Sequence, residues 1–406
     1  MRRLQAAGDD RVSRLFYLIT TTDKDAQVAL AESEVLLAGV RPSPRTVLSD
    51  RFVDPSRTAY AAYVAELIWL GDSTDGLLAH LAASPVEAPH FAIDARKFPS
   101  KGGPDRQALC GEVGRYIVGR PRLDAPEHEF ALVIDQGHVL FGRVLARNTT
   151  DWHERVHKPF SFSASLEPRV ARAAVNLVAS PGQAIIDPCC GSGTIVIEAA
   201  SIGVRAAGFD LSWEMPGRAG LNARHFSLEA VFGVGDARSL AGEFDAVVTN
   251  LPYDVFCSVP PEFYEDALRN LRRLAPRAAV FAGRDLSPEA ERSGLRVERI
   301  AVQQTRSFRR YLHVLSIPVP PPPALGGRAG VGGKAHSSRP LPPPYPAPRG
   351  RGEGIAGEGA GHAPPTVDHR PAFSQGGGTK TWSGSRGRPS LRSHTPPSSR
   401  LFGPAA

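Results

Sequence analysis

The sequence predicts an α/β protein: an open, doubly wound parallel sheet, preceded by a mixed α+β module and followed by a disordered tail. Three observations carry this reading. The first is Ile185-Ile186-Asp187-Pro188-Cys189-Cys190-Gly191-Ser192-Gly193-Thr194, a short apolar strand, a glycine turn and the start of a helix. The second is that polar residues close the apolar runs that follow. Val204 to Phe209 ends in Asp210, Gly235 precedes Asp236, and Phe244 to Thr249 ends in Asn250. Open α/β sheets bind ligands at the carboxyl ends of their strands, where these side chains would lie. The third is a composition break at Pro318, after which 18 of the 37 prolines and 17 of the 40 glycines are crowded. Such a segment buries too little apolar surface to offset its ordering entropy.

Charge follows the same division. Of the 48 basic and 41 acidic residues, eleven and three lie from Pro318 onward, leaving 37 and 38 for the body. The basic balance therefore belongs to the tail, whose arginines could add nonspecific attraction for RNA. The four cysteines (Cys110, Cys189, Cys190, Cys257) form no CxxC pair and no disulfide framework. The twelve histidines make no HExxH pair, so no metal is expected. No apolar run approaches the ~18 residues of a spanning helix, and the start of the chain lacks a secretory apolar stretch. A cytoplasmic protein without a membrane partner is expected.

Taken in order, Arg14 to Thr20 reads as a strand, and Ala26 to Leu37 as a helix stopped by Gly39 and Pro42. Val47 to Val53 is a second strand. Ala59 to Leu70 reads as a helix, because Tyr60, Tyr63, Val64, Leu67 and Ile68 recur at helical spacing. Its tyrosines share the apolar face and are expected in the core rather than as base-stacking platforms. Gly76 to Ala83 is a helix, His90 to Ala95 a strand and Gln107 to Ile117 a helix. Glu129 to Asp135 and Val139 to Val144 form a hairpin across Gln136-Gly137-His138. Glu167 to Ala179 is a helix with Pro168 near its first position. Beyond Asn250, a helix (Pro261 to Leu274) and three strands (Ala278 to Ala282, Leu295 to Val302, Arg310 to Ile317) complete a mixed sheet. The expected divisions are a module over 1–147, a linker over 148–165, the main sheet over 166–317 and a tail over 318–406.

The chemistry concentrates at the glycine turn. Gly191 and Gly193 permit positive φ and close approach of a ligand. A helix opening at Thr194 presents free N–H groups and a positive dipole end, a seat for a carboxylate or phosphate. Asp210 follows at about the separation at which an acid reaches ribose hydroxyls. No lysine follows the turn, which excludes a P-loop.

The order DPCCGSGT, Asp210, GDA and NLPY resembles the class I S-adenosylmethionine-dependent methyltransferases, whose catalytic domain is Rossmann-like, and within them the amino-methylating branch. Lys158-Pro159-Phe160 through Ser165-Leu166-Glu167-Pro168-Arg169-Val170-Ala171-Arg172 is similar to the segment that introduces the catalytic domain of THUMP-containing tRNA guanine-N2 methyltransferases. The strand and helix order before it resembles their ferredoxin-like and THUMP arrangement. The resemblance implies an enzyme with S-adenosyl-L-methionine as cofactor and tRNA as partner. It places the methionine part of the cofactor at Asp187 and at Cys189, Gly191, Ser192 and Gly193, the ribose at Asp210 and the adenine amino group at Asp236. Phe209 or Leu211 would pack on the adenine. Neither loop cysteine has a neighbouring base, so neither is read as a nucleophile.

The motif Asn250-Leu251-Pro252-Tyr253 concerns the methyl acceptor. An exocyclic amine has its lone pair delocalised into the ring and attacks poorly. The Asn250 side chain and the Leu251 carbonyl can take its N–H groups as positive charge develops on nitrogen. Pro252 holds Leu251 extended, and Tyr253 can stack on a base taken out of its helix. The guanine-N2 enzymes usually have two prolines where this chain has Leu251 and Pro252. NLPY is the spelling typical of rRNA adenine-N6 dimethyltransferases, which have a different glycine loop. A guanine 2-amino group near tRNA position ten is expected. The alternatives are an adenine-N6 or rRNA guanine-N2 enzyme, a protein glutamine methylase and a silent RNA-binding scaffold. For RNA contact, Arg96 to Arg122 holds seven basic residues against Asp105 and Glu112. Arg96, Lys97, Lys101, Arg115 and Arg120 are the candidates.

Overall fold

The structure, a computed structural model, describes residues 15–100, 105–161, 165–253, 259–260, 262–304 and 308–318. The expected tail after Pro318, Lys101 and Cys257 lie outside the described residues. The first part of the chain runs β1 (Leu15–Ile19), α1 (Ala26–Leu37), β2 (Val40–Ser43), β3 (Thr46–Ser49), β4 (Ala61–Gly71), α2 (Thr74–Ala83), β5 (Val86–Phe98), α3 (Arg106–Gly114), β6 (Ile117–Pro121), β7 (His128–Asp135) and β8 (His138–Arg147). The second runs α4 (Trp152–Val156), α5 (Pro168–Val178), β9 (Ala184–Asp187), α6 (Thr194–Ser201), β10 (Arg205–Asp210), α7 (Met215–His225), β11 (Val231–Val234), β12 (Ala246–Asn250), α8 (Phe263–Leu274), β13 (Arg277–Ala282), α9 (Ser287–Arg292), β14 (Arg296–Gln304) and β15 (Arg309–Ser316).

Two sheets result. The first has eight strands in the order β2-β3-β1-β4-β8-β7-β5-β6, with β5 parallel to both its neighbours and every other pair antiparallel. The second has seven, β11-β10-β9-β12-β13-β15-β14. Its first five strands are parallel, and β15 is antiparallel to β13 and β14. β9 sits at the centre of the parallel part, so Asp187 ends a strand covered on both sides. This is the mixed sheet expected from the sequence.

The element expected as a helix over Ala59 to Leu70 is instead the strand β4, paired with β1 and β8. The physical reason is burial on both faces. Tyr60 and Val64 belong to one apolar cluster, and Tyr63 and Ala65 to the cluster on the opposite face. A strand covered on both sides has no polar alternation, so its continuous apolar run mimics a helix. The tyrosines are in the core as expected, both at most 1% exposed. The short or edge elements β2, β6, β11, α4 and α9, and the longer helix α7, have no counterpart among the expected elements, and the 148–165 stretch contains α4.

The two sheets share one core. Tyr17, Val28 and Val64 from the first part pack with Val170, Ala174 and Phe281 from the second in a single buried cluster. Helices α1 and α5 lie in it, and their polar residues are tied to the opposite part. Glu32 of α1 accepts from Asn176 of α5 at 2.7 Å and from the Ala59 N–H at 2.8 Å. Burial pushes the Glu32 carboxyl up to about 7. Arg172 of α5, 2% exposed, donates to the Ser56 carbonyl at 2.6 Å, to Thr150 at 2.9 Å and to Glu198 of α6 at 2.9 Å. Gln303 of β14 donates to the buried Asp25 at 2.8 Å.

Candidate active site

The site is built at the carboxyl ends of β9, β10 and β12. After Asp187 the chain turns through Gly191 (φ 50°) and Gly193 (φ 83°) into α6. Gly193 is required twice over, because a Cβ there would also lie 2.9 Å from the Cβ of Ala219. Asp187 is 1% exposed and accepts from the Cys189 N–H at 3.1 Å. Burial pushes its carboxyl up to about 7, and the nearby Asp210 charge acts in the same direction. Asp210 accepts from the Gly191 N–H and the Ser212 N–H, each at 2.9 Å, and so holds the glycine turn from the side. Burial and the neighbouring carboxylates push the Cys189 and Cys190 thiols up, so neither is a thiolate at neutral pH.

Asp236 is engaged by Arg238. The guanidinium donates at 2.7 Å from Nη2 and at 3.0 Å from Nε, and the Arg238 N–H adds a bond at 2.9 Å. These hydrogen bonds hold the Asp236 carboxyl below the usual range. At the end of β12, the Leu251 N–H donates to the Phe281 carbonyl at 3.0 Å. The Tyr253 hydroxyl donates to Asn250 Oδ1, and the Tyr264 hydroxyl to the Pro252 carbonyl at 2.9 Å. Tyr253 is 3% exposed, and burial pushes its hydroxyl up to about 12.

These groups surround one cavity of about 520 Å³. Asp187, Cys189, Gly191, Ser192, Asp210 and Asp236 line it, and so do Asn250, Leu251, Pro252 and Tyr253. Gly193 does not line it, although Thr194 and Ile195, which follow it in α6, do. Of the two residues expected against an adenine, Leu211 lines the cavity and is 70% exposed, whereas Phe209 is buried in the core. The sequence reading missed Ser165, Leu166, Arg238 and Phe263, which also line it. Arg238 was findable, because an arginine two residues after a strand-end acid can close back on it. Phe263 was not, since it is brought in by the packing of α8.

The candidate RNA contacts lie on the first sheet. Arg96 and Lys97 are on β5, Arg115 follows α3 and Arg120 is on β6. Arg115 and Arg120 are exposed, whereas Arg96 is paired with Asp94 at 2.8 Å. Asp94 also receives Arg147 at 3.0 Å, and Arg147 is paired with Glu129 as well.

Comparison with known proteins identifies the family. A profile of the RMKL-like methyltransferase domain family matches residues 155–280. The chain is 30% identical over 283 residues to a tRNA (guanine(10)-N2)-dimethyltransferase of Methanothermobacter thermautotrophicus, covering 64% of this chain and 83% of that one. The chain belongs to the tRNA (guanine(10)-N2)-dimethyltransferase family. A second member, from Pyrococcus abyssi, is 31% identical over 171 residues, 39% of this chain and 52% of its own. Among solved structures, TrmN from Thermus thermophilus superposes with a TM-score of 0.45 at 20% identity, over 75% of this chain and all of that one. As a member of this family the protein is a methyltransferase, and its cofactor is S-adenosylmethionine. The cavity fits that cofactor in its donor set: carboxylates at two strand ends, a glycine turn, and a helix N-terminus at one end. Among the described residues no helix is long and apolar enough to cross a membrane.

Proposed function

We propose that this protein methylates the exocyclic 2-amino nitrogen of guanine 10 in tRNA and carries the reaction to the dimethylated product. The observation that carries the proposal is the placement of Asn250 and Leu251 on the cofactor cavity, in a chain whose relatives are named for that reaction. S-adenosylmethionine supplies the methyl group as an electrophile. The protein supplies position and charge stabilisation.

Asp210 and Asp187 serve the polar parts of the cofactor, and Asp236 shares its carboxylate between Arg238 and the adenine edge. The acceptor amine is met by the Asn250 side-chain oxygen and the Leu251 carbonyl, which draw on its two N–H bonds and favour charge on nitrogen. Asn250 Oδ1 already accepts from Tyr253, and an amide oxygen has two lone pairs. The amine therefore joins a bond that fixes the Asn250 rotamer. Because Tyr253 is buried and held through its hydroxyl, it acts first as the orienter of Asn250 on the wall of the cavity. Asn250 cannot take a proton, so the proton leaves the methylated nitrogen for solvent.

The test is transfer of labelled methyl groups by the full chain to transcripts of tRNA and of rRNA fragments, followed by nucleoside and oligonucleotide mass analysis. N2,N2-dimethylguanosine at position 10 of tRNA is expected. N6-methylated adenosine with no modified guanosine would overturn the reading.

A further inference from the structure

The segment that enters the catalytic sheet is fastened to the glycine turn at three places. Lys158 Nζ donates to Thr194 Oγ1 at 2.7 Å. Asn222 Nδ2 donates to the Phe160 carbonyl at 2.7 Å and to the Ser192 carbonyl at 2.9 Å, and its Oδ1 accepts from the Phe160 N–H at 2.9 Å. The Ser165 and Ser192 hydroxyls meet at 3.1 Å. The first of these bonds puts a buried cation against the first residue of α6, and Thr194 itself lines the cofactor cavity.

The charge around Lys158 is unbalanced. The residue is 6% exposed, and the carboxylate that attracts its ammonium is Glu198 of α6. Glu198 is already paired with the buried Arg172 at 2.7 Å and lies 4.0 Å from Arg155 of α4. Glu198 therefore faces three cations, and a second buried acid, Glu32, is in electrostatic reach of Arg172. The surplus positive charge lies beside a helix N-terminus, whose dipole has the same sign. Burial lowers the Lys158 amine to about 8, which leaves it mostly charged at neutral pH. A buried surplus of this kind is costly unless an anion balances it. The Thr194 hydroxyl accepts from Lys158, so its own proton must point elsewhere, and no described residue takes it.

We propose that Lys158 is a positioning residue for the amino-acid carboxylate of the cofactor: it fixes the Thr194 hydroxyl as a donor into the cavity and supplies the charge that balances the carboxylate. The inference rests on the assignment of the cavity to S-adenosylmethionine. It goes beyond the turn and strand-end acids, because Lys158 precedes the catalytic sheet and does not line the cavity.

The test compares two ligands that differ only in that carboxylate: S-adenosylhomocysteine and its decarboxylated form, titrated calorimetrically into the full chain. Lys158→Met is expected to weaken S-adenosylhomocysteine at least about tenfold, as removal of a charge-assisted interaction does, and to leave the decarboxylated ligand within about twofold. Lys158→Arg should recover part of the loss. Thr194→Val should show the same selective loss and Thr194→Ser should not, which decides the matter if Lys158→Met does not fold. Equal loss for both ligands, or loss for neither, would overturn the proposal. Failure of the unmodified chain to bind either ligand would sink the cofactor assignment, and this inference with it.

Discussion

The two sheets differ in where they keep their polar residues. In the seven-stranded sheet, Asp187, Asp210 and Asn250 stand at the carboxyl ends of neighbouring parallel strands and open onto one cavity. In the first part of the chain, the buried polar residues Asp25 and Glu32 lie instead at and within α1 and bond to β14 and α5. Parallel strands put all their ends on one edge, so a ligand can be met from several strands at once. The mostly antiparallel sheet has no such edge. Two of its buried polar residues, Asp25 and Glu32, join it to the catalytic half, which makes it a support as well as a surface.

The sharpest way to break this comparison is to separate the halves. A fragment beginning at residue 148 would expose the α5 face that carries Val170 and Ala174. It would also strip Asn176 of Glu32 and Arg172 of Ser56. Each buried polar group stripped of its hydrogen-bond partner costs about 1–3 kcal/mol, and the lost apolar burial adds to it, together a large part of an ordinary domain's stability. The fragment is expected to show no cooperative thermal transition by circular dichroism. A cooperative melt close to that of the full chain would make the joint dispensable and residue 147 a true domain end.

Asn250→Ala acts on the catalytic half alone. Its side chain bears on charge that appears only during transfer, so turnover should fall about 10²–10³-fold. Cofactor affinity should stay within about twofold, because Asn250 stabilises no ground-state charge. Calorimetry beside single-turnover kinetics separates the two. A matching drop in cofactor affinity would move Asn250 into the cofactor site.

The same contrast explains what could be read from the sequence. The catalytic sheet is legible because its function needs a fixed order of local signals: the turn glycines, Asp210, Asp236, and the amide that ends β12. Each is a few residues long and sits at a strand end. The first sheet has no such punctuation. β4 reads as a helix because burial on both faces removes the alternation that identifies a strand, and β6 is a short edge strand exposed at every position after Ile117. Phe263 and Lys158 escape for another reason. Each reaches the site through packing of distant segments, and spacing along the chain carries no trace of it.

Asp187 offers a finer probe. Its carboxyl sits near 7 in the free protein because burial disfavours the anion, well above the 3.8 of the exposed group. The folded state therefore takes up a proton between those values that the unfolded state does not, and the free protein loses stability as pH rises through about 7. Cofactor binding should run the other way. An ammonium favours the Asp187 anion, so affinity is expected to fall by up to about tenfold for each unit of pH below 7. Asp187→Asn should flatten that slope. A slope unchanged in the variant would assign the titration to another group.

The smallest effect is expected on the first sheet, where the candidate arginines are not equivalent. Arg96 already shares Asp94 with Arg147, so its charge is largely answered within the protein. Arg115 and Arg120 are exposed and have no acidic partner within ion-pair distance among the described residues. A cation that is free before binding gains the full counterion release when it meets a phosphate, whereas a paired one must first give up its acid. Replacing Arg115 and Arg120 together by Ala should weaken tRNA binding a few-fold and lower the slope of log affinity against log salt by about 0.7–0.9 for each phosphate no longer neutralised. Arg96→Ala should change the slope less. Arg269→Ala on α8, where the guanidinium is held by Glu265 and Asp266, serves as the control from the catalytic half. Filter binding across a salt series measures all three. If the control lowers the slope as much as the Arg115 and Arg120 pair, RNA is held by the catalytic half, and the division of labour between the sheets is wrong.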